Sequence, residues 1–208
     1  MRRAGVVASL AALVIGACAS GTTPAPSTTM AASAVPRESA AAAVELPPDT
    51  VDLPPARYAR PDLLPGLSFE VEDGWSSGMV GDGRFQLSRE VGPGEVIVML
   101  ARTTAGSASA AADAIGAMEG ISVLATSESR MNGRTGPNLE LESTADARVD
   151  LLTTASGAIG LEPGERAWLS LFDTGGGVVA VTVIADAGTW DAALLAAEPL
   201  LETVEIAD

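Results

Sequence analysis

Histidine and lysine are absent from the sequence, and cysteine occurs once, as Cys18. Those absences remove most side-chain chemistry. Ser-His-Asp and Cys-His nucleophile systems and imidazole metal sites need histidine. Schiff bases and Ser-Lys dyads need lysine, and one thiol cannot close an internal disulfide. Carboxylates remain: 27 Asp and Glu stand against 12 Arg, for a net charge of −15. Pairs such as Asp73 with Asp82, or Glu162 with Glu165, have the composition that glycoside hydrolysis uses, yet so acidic a chain offers such pairs anywhere. Glu140, Glu142, Asp146 and Asp150 lie near one another in sequence but lack the alternating oxygen ligands and sharp glycine turn of a calcium loop. They read as a solvated acidic face. Gly175-Gly176-Gly177 leads into an apolar strand with no helix start and no lysine, so it is not a phosphate cradle. No catalytic residue, metal ligand set or cofactor is expected, and the chain reads as a non-enzyme. Its negative surface argues against a nucleic-acid partner.

Binding chemistry has more to work with. Aromatic residues make up only 3% of the chain, three of them Trp. Trp75, Trp168 and Trp190 could line an apolar cavity or form a carbohydrate platform, although a tryptophan facing a sheet more often packs a core. Core packing is the stronger expectation for Trp168 and Trp190. Trp75 adjoins the glycine-rich stretch Ser76 to Gly83, read as a loop. There Gly78 and Gly81 permit close approach and motion, so Trp75, Gly78 and Gly81 are the possible ligand-facing residues. The alternative is a loose connection between two strands.

Cys18 carries a different chemistry. Met1-Arg2-Arg3 is a short positive segment, and Ala4 to Ile15 is apolar apart from Gly5 and Ser9. That stretch is shorter than the roughly 20 residues of a membrane span and has the length of a signal-peptide core. It ends in Ile15-Gly16-Ala17-Cys18, which resembles the bacterial lipobox. The resemblance implies cleavage before Cys18 and lipidation of its thiol, with the acyl chains as membrane anchor. Loss of Arg2 and Arg3 with the leader would take the net charge to −17. Residues 18–64, rich in Ala, Pro and Thr, sustain no hydrophobic period and read as a flexible tether. Such a chain spans roughly 35–40 Å end to end. The folded domain is expected over residues 65–208.

Within that domain the apolar periods mark the elements. Leu67 to Val71 alternates as a half-buried strand, and Phe85 to Ser88 is a second. After the turn at Gly92-Pro93-Gly94 comes the strongly apolar Glu95 to Arg102, expected to be central and covered on both faces. Ser107 to Glu119 is a helix with Ala111, Ile115 and Met118 on one face. Val123 to Ser129 and Pro137 to Glu142 form a hairpin turning at Asn132-Gly133. Asp150 to Ala155, Ala167 to Asp173 and Val178 to Ala185 are further strands. A last helix starts after Thr189 as cap, with Trp190, Ala193, Leu194, Ala197 and Leu201 as its buried stripe. Pro199 is expected to kink or restart it near Glu198. Val204 to Ile206 closes the chain as a short strand. The fold class is α+β: a single antiparallel sheet of about six to eight strands with two helices packed on it.

Leu67 to Val71 followed by Gly74-Trp75, the polar hairpin Arg130 to Gly136, and the closing strand, helix and Leu200-Leu201-Glu202-Thr203-Val204 tail are together similar to PsbP-like domains of bacterial lipoproteins. The layout resembles that of the actinobacterial LpqN-type members. The resemblance implies a fold and a location at the extracytoplasmic face of the cell membrane, and transfers no catalytic residue. The functional expectation is a membrane-anchored, non-catalytic binding or protein-interaction module. A carrier of an apolar small molecule or lipid in a sheet–helix cavity is the second reading, and a hydrolase using acidic residues alone the third. The expected partners are membrane lipid through Cys18 acylation and an envelope protein or small apolar ligand.

Overall fold

The structure, a computed structural model, describes residues 42–47, 51–61, 66–81 and 83–206. These fall within one unit, Ala40–Asp208. Ile15, Gly16, Ala17 and Cys18 lie outside the described residues. In chain order the strands begin with β1 (Val44–Glu45), β2 (Val51–Leu53), β3 (Ala56–Ala59), β4 (Leu67–Val71), β5 (Trp75–Gly81), β6 (Arg84–Val91) and β7 (Gly94–Thr103). Helix α1 (Ala108–Gly116) follows, then β8 (Ile121–Met131), β9 (Arg134–Ser143), β10 (Val149–Thr154), β11 (Gly157–Leu161), β12 (Glu165–Thr174) and β13 (Gly177–Asp186). Helix α2 (Trp190–Thr203) and β14 (Glu205–Ile206) complete the chain.

The expected single sheet of six to eight strands is not what forms. Among the described residues there are two sheets, one of four strands in the order β1-β3-β4-β14 and one of ten. The large sheet runs β2-β5-β6-β7-β13-β12-β9-β8, with the β10–β11 hairpin joined to β7 through Thr154 and Thr103. One pairing, β1 with β3, is parallel. β7 and β13 lie at the centre of the large sheet, with Val181 opposite Leu100. Both are apolar on both faces because both faces are covered. On one face Val96, Val98, Leu100, Val179, Val181 and Val183 meet the small sheet and α2. On the other, Met99, Ala101, Leu169, Leu171, Val178 and Ala180 meet α1 and the β10–β11 hairpin. The large sheet is therefore the middle of three layers.

The folded part also begins earlier than residue 65, so the expected tether over 18–64 does not hold to its end. β2 pairs with β5, and β3 pairs with β4. Leu46, Leu53 and Tyr58 are 1–4% exposed within the core. Val51-Asp52-Leu53 and Arg57-Tyr58 are too short to show a period, but each supplies one large side chain to a pre-existing apolar face. The loop expected at Ser76 to Gly83 is also corrected: Trp75–Gly81 is strand β5, with a register shift between Ser77 and Val80.

Both helices start where expected. Ser107 caps α1, its Oγ accepting from the Ala110 N–H at 3.2 Å. The helix buries Ala108, Ala111, Ala112 and Ile115 and stops at Gly116, before Glu119. In α2 the buried residues are Trp190, Ala193, Ala197 and Leu200. Leu194 and Leu201, expected in that stripe, are only half-buried. Thr189 makes no side-chain cap; its hydroxyl donates to the Asp186 carbonyl at 3.3 Å. The helix runs continuously through Pro199 instead of restarting near Glu198.

Candidate functional site

Trp75, Gly78 and Gly81, the residues expected to face a ligand, do not form a site together. Trp75 is 2% exposed and belongs to the core between the sheets, with the Arg89 guanidinium 6.0 Å from its ring centroid. Gly78 and Gly81 lie within β5, where a Cβ at Gly78 would stand 3.3 Å from Gln86 Cγ and one at Gly81 3.4 Å from Ser156 Cβ. The glycines accommodate neighbouring side chains, and Trp75 is a packing residue. A polar hollow of about 430 Å³ opens beside them, lined by Asp52, Gly74, Ser76, Arg89, Glu90 and Glu95 among others, and the buried indole does not line it.

Of the candidate acids, Glu162 and Glu165 share one hollow with Arg148, which already pairs Glu162. Glu140 pairs with Arg166, and Asp150 and Glu162 both pair with Arg148 at 3.0 Å. These charges and hydrogen bonds raise the Arg148 pKa, the Glu162 hydrogen bond most. Glu165 Oε2 accepts from the Glu162 N–H at 2.7 Å, and Asp82 lies outside the described residues. Among the described residues no group of three or more His, Cys, Asp or Glu could hold a metal ion.

A different site is built by α2 and β12. Alternation along β12 points Arg166, Trp168 and Ser170 to the face that carries α2, while Ala167, Leu169 and Leu171 enter the opposite core. In the register of β9 with β12, Glu142, Glu140 and Asn138 stand opposite Arg166, Trp168 and Ser170. Across this floor Ser170 Oγ donates to Asn138 Oδ1 at 3.0 Å, and Asn138 Nδ2 donates to Ser127 Oγ at 3.1 Å. The Arg166 guanidinium is held by Glu140 and lies 5.0 Å from the Trp190 ring centroid. Its Nε is buried without a partner.

Helix α2 packs against β4, β7, β13 and β6, with no comparable packing on β9 or β8. Val123 to Glu128 of the edge strand β8 are exposed. Beside the helix, against Trp168 of β12, lies an open trough of about 440 Å³, lined by Trp168, Asp191, Leu194, Leu195, Glu198 and Leu201. Leu195 is 69% exposed. The trough combines an indole and three leucines with two carboxylates, a surface able to bind an amphiphile by contact and charge. It offers no nucleophile–base pair. The missed signal is in α2 itself: Leu194, Leu195 and Leu201 make a second apolar stripe beside the one that is buried.

No family model and no curated protein matches the sequence. Similar solved structures include a protein from Bacteroides thetaiotaomicron VPI-5482, 11% identical over 73% of this chain and 48% of that one, with a TM-score of 0.43. This chain thus spans about half of that protein's length. They also include the cyanobacterial PsbP (CyanoP) of Synechocystis sp. PCC 6803, 11% identical over 73% of this chain and 91% of that one, with a TM-score of 0.42.

Proposed function

We propose that this protein is a lipid-anchored, extracytoplasmic binding module, without catalysis of its own, whose binding face is the trough beside α2. The observation that carries the reading is the second apolar stripe of that helix. Trp190, Ala193, Ala197 and Leu200 already join α2 to the core at 0–3% exposure. Leu194 and Leu201 pack only partly against that core and Leu195 stands clear of it, and all three line an apolar trough with Trp168. Apolar side chains grouped in an open hollow with a few polar groups favour a ligand that covers them. The filled helix–sheet interface favours an occupant lying along the helix over one enclosed beneath it. The address is read from sequence: the positive start, the short apolar stretch, and Ile15-Gly16-Ala17-Cys18. Lipid on Cys18 would keep the trough at a membrane surface, where an envelope protein or a small apolar ligand is the occupant.

Two measurements test the two halves. Cys18→Ser is expected to move the exported chain from the membrane to the soluble fraction; retention at the membrane would end the lipid-anchor reading. Native mass spectrometry of the chain purified gently from its exported pool should show extra mass that denaturation releases. That mass should be lost in Leu195→Asp, a change at an exposed position. An occupant that the variant retains lies outside the trough.

A further inference from the structure

Resting on the trough as binding face, its charge narrows the occupant. We infer that the trough takes a small organic cation with an apolar body, of the alkyl- or arylammonium class. Its lining holds two carboxylates and no cation. Asp191 and Glu198 are both exposed and seven residues apart on α2, about 10.5 Å along the axis. Among the described residues neither has an ion-pair partner. The arginine on the adjoining floor, Arg166, is already held by Glu140 and lies over Trp190. Among the described residues no cation of this chain therefore neutralises the rim carboxylates, although the dipole of α2 offsets part of the charge of Asp191 in its first turn.

Leu194, Leu195 and Leu201, with the Trp168 indole, supply contact for an apolar body. The net charge of −15 draws cations toward the surface and repels anions. A hollow of about 440 Å³ is in the range of small-molecule sites. A docking helix would need far more surface than six lining residues provide.

Three probes with the same aromatic body and different charge test this: benzyltrimethylammonium, benzyl alcohol and phenylmethanesulfonate. The full chain is labelled with 5-fluorotryptophan and held in phosphatidylcholine nanodiscs. Its three tryptophans give separate fluorine signals, and Trp168 is the one lining the trough. The ammonium probe should shift the Trp168 signal at a concentration roughly tenfold below the sulfonate, since each exposed carboxylate contributes modestly. The double variant Asp191→Asn/Glu198→Gln should abolish that difference. A sulfonate that binds equally well, or a preference that survives the double variant, overturns the cation assignment. Benzyl alcohol binding as tightly as the ammonium overturns it too, but leaves the trough as binding face. If none of the three moves the Trp168 signal, both readings fall.

Discussion

An alanine at position 136 would place its Cβ 1.8 Å from the Leu171 carbonyl oxygen and 3.3 Å from Phe172 Cδ1. The clash is with backbone, so no side chain can rotate away. It falls between β9 and β12, the two strands that carry Glu140 and Trp168. Gly136→Ala is therefore expected to destabilise the protein by at least about 3 kcal/mol. Gly175→Ala serves as the control: nothing lies within 4 Å of its Cβ and its φ is not positive, so a change within about 0.5 kcal/mol is expected. Urea unfolding followed by tryptophan fluorescence measures both, and equal midpoints would show that the strands can separate at Gly136. Part of this hairpin was legible in sequence. Asn132-Gly133 announces the turn, and the two residues take φ of 46° and 79°. The demand on Gly136 was not legible, because its cause is a strand 35 residues further along.

Elements show the same division. The apolar runs of β7 and β13 and the capped start of α1 could be read because each carries its own period. The segment from β1 to β3 could not, since its three strands contain two to four residues each. Tyr58, the only tyrosine, reports whether that segment is packed. It is 3% exposed, its ring centroid is 6.2 Å from that of Phe69, and its hydroxyl donates to the Pro54 carbonyl at 2.9 Å. Burial raises the phenol pKa above its ordinary 10.0. The unfolded chain releases this proton near pH 10, whereas the folded chain holds it to higher pH. Deprotonation thus favours unfolding, and stability present below pH 10 declines as pH rises through the raised folded value. Phenolate absorbance of the native chain should appear above pH 10, and Tyr58→Phe should flatten the loss of stability there. An ordinary titration at 10.0 in the native chain would mean that β3 does not pack as described. The trough escaped notice for a related reason. Periodicity reports that α2 has apolar residues on one side, but which of them the sheet covers depends on where the helix crosses it.

The molecule as a whole holds 27 carboxylates against 12 arginines. Several arginines are spent joining elements. Arg57 of β3 reaches Glu70 of β4 at 3.5 Å and also Glu205 of β14, and Arg166 ties β12 to Glu140 of β9. Among the described residues most carboxylates have no such partner to offset them, so the folded state concentrates negative charge that the unfolded chain disperses. At about 10 mM salt the screening length is roughly 30 Å and this repulsion acts across the domain; at about 150 mM it falls to roughly 8 Å. Added salt also weakens the ion pairs, but exposed and half-exposed pairs contribute little each. Repulsion should therefore dominate, and raising NaCl between those two concentrations at neutral pH should increase Tm by about 2–4 °C, the shift that roughly 1 kcal/mol gives a chain of this size. KCl should act equally, because screening does not distinguish the two cations. A Tm that falls with salt would reverse the ranking and make the arginine links between the strands, rather than the net repulsion, the electrostatic determinant of this fold's stability.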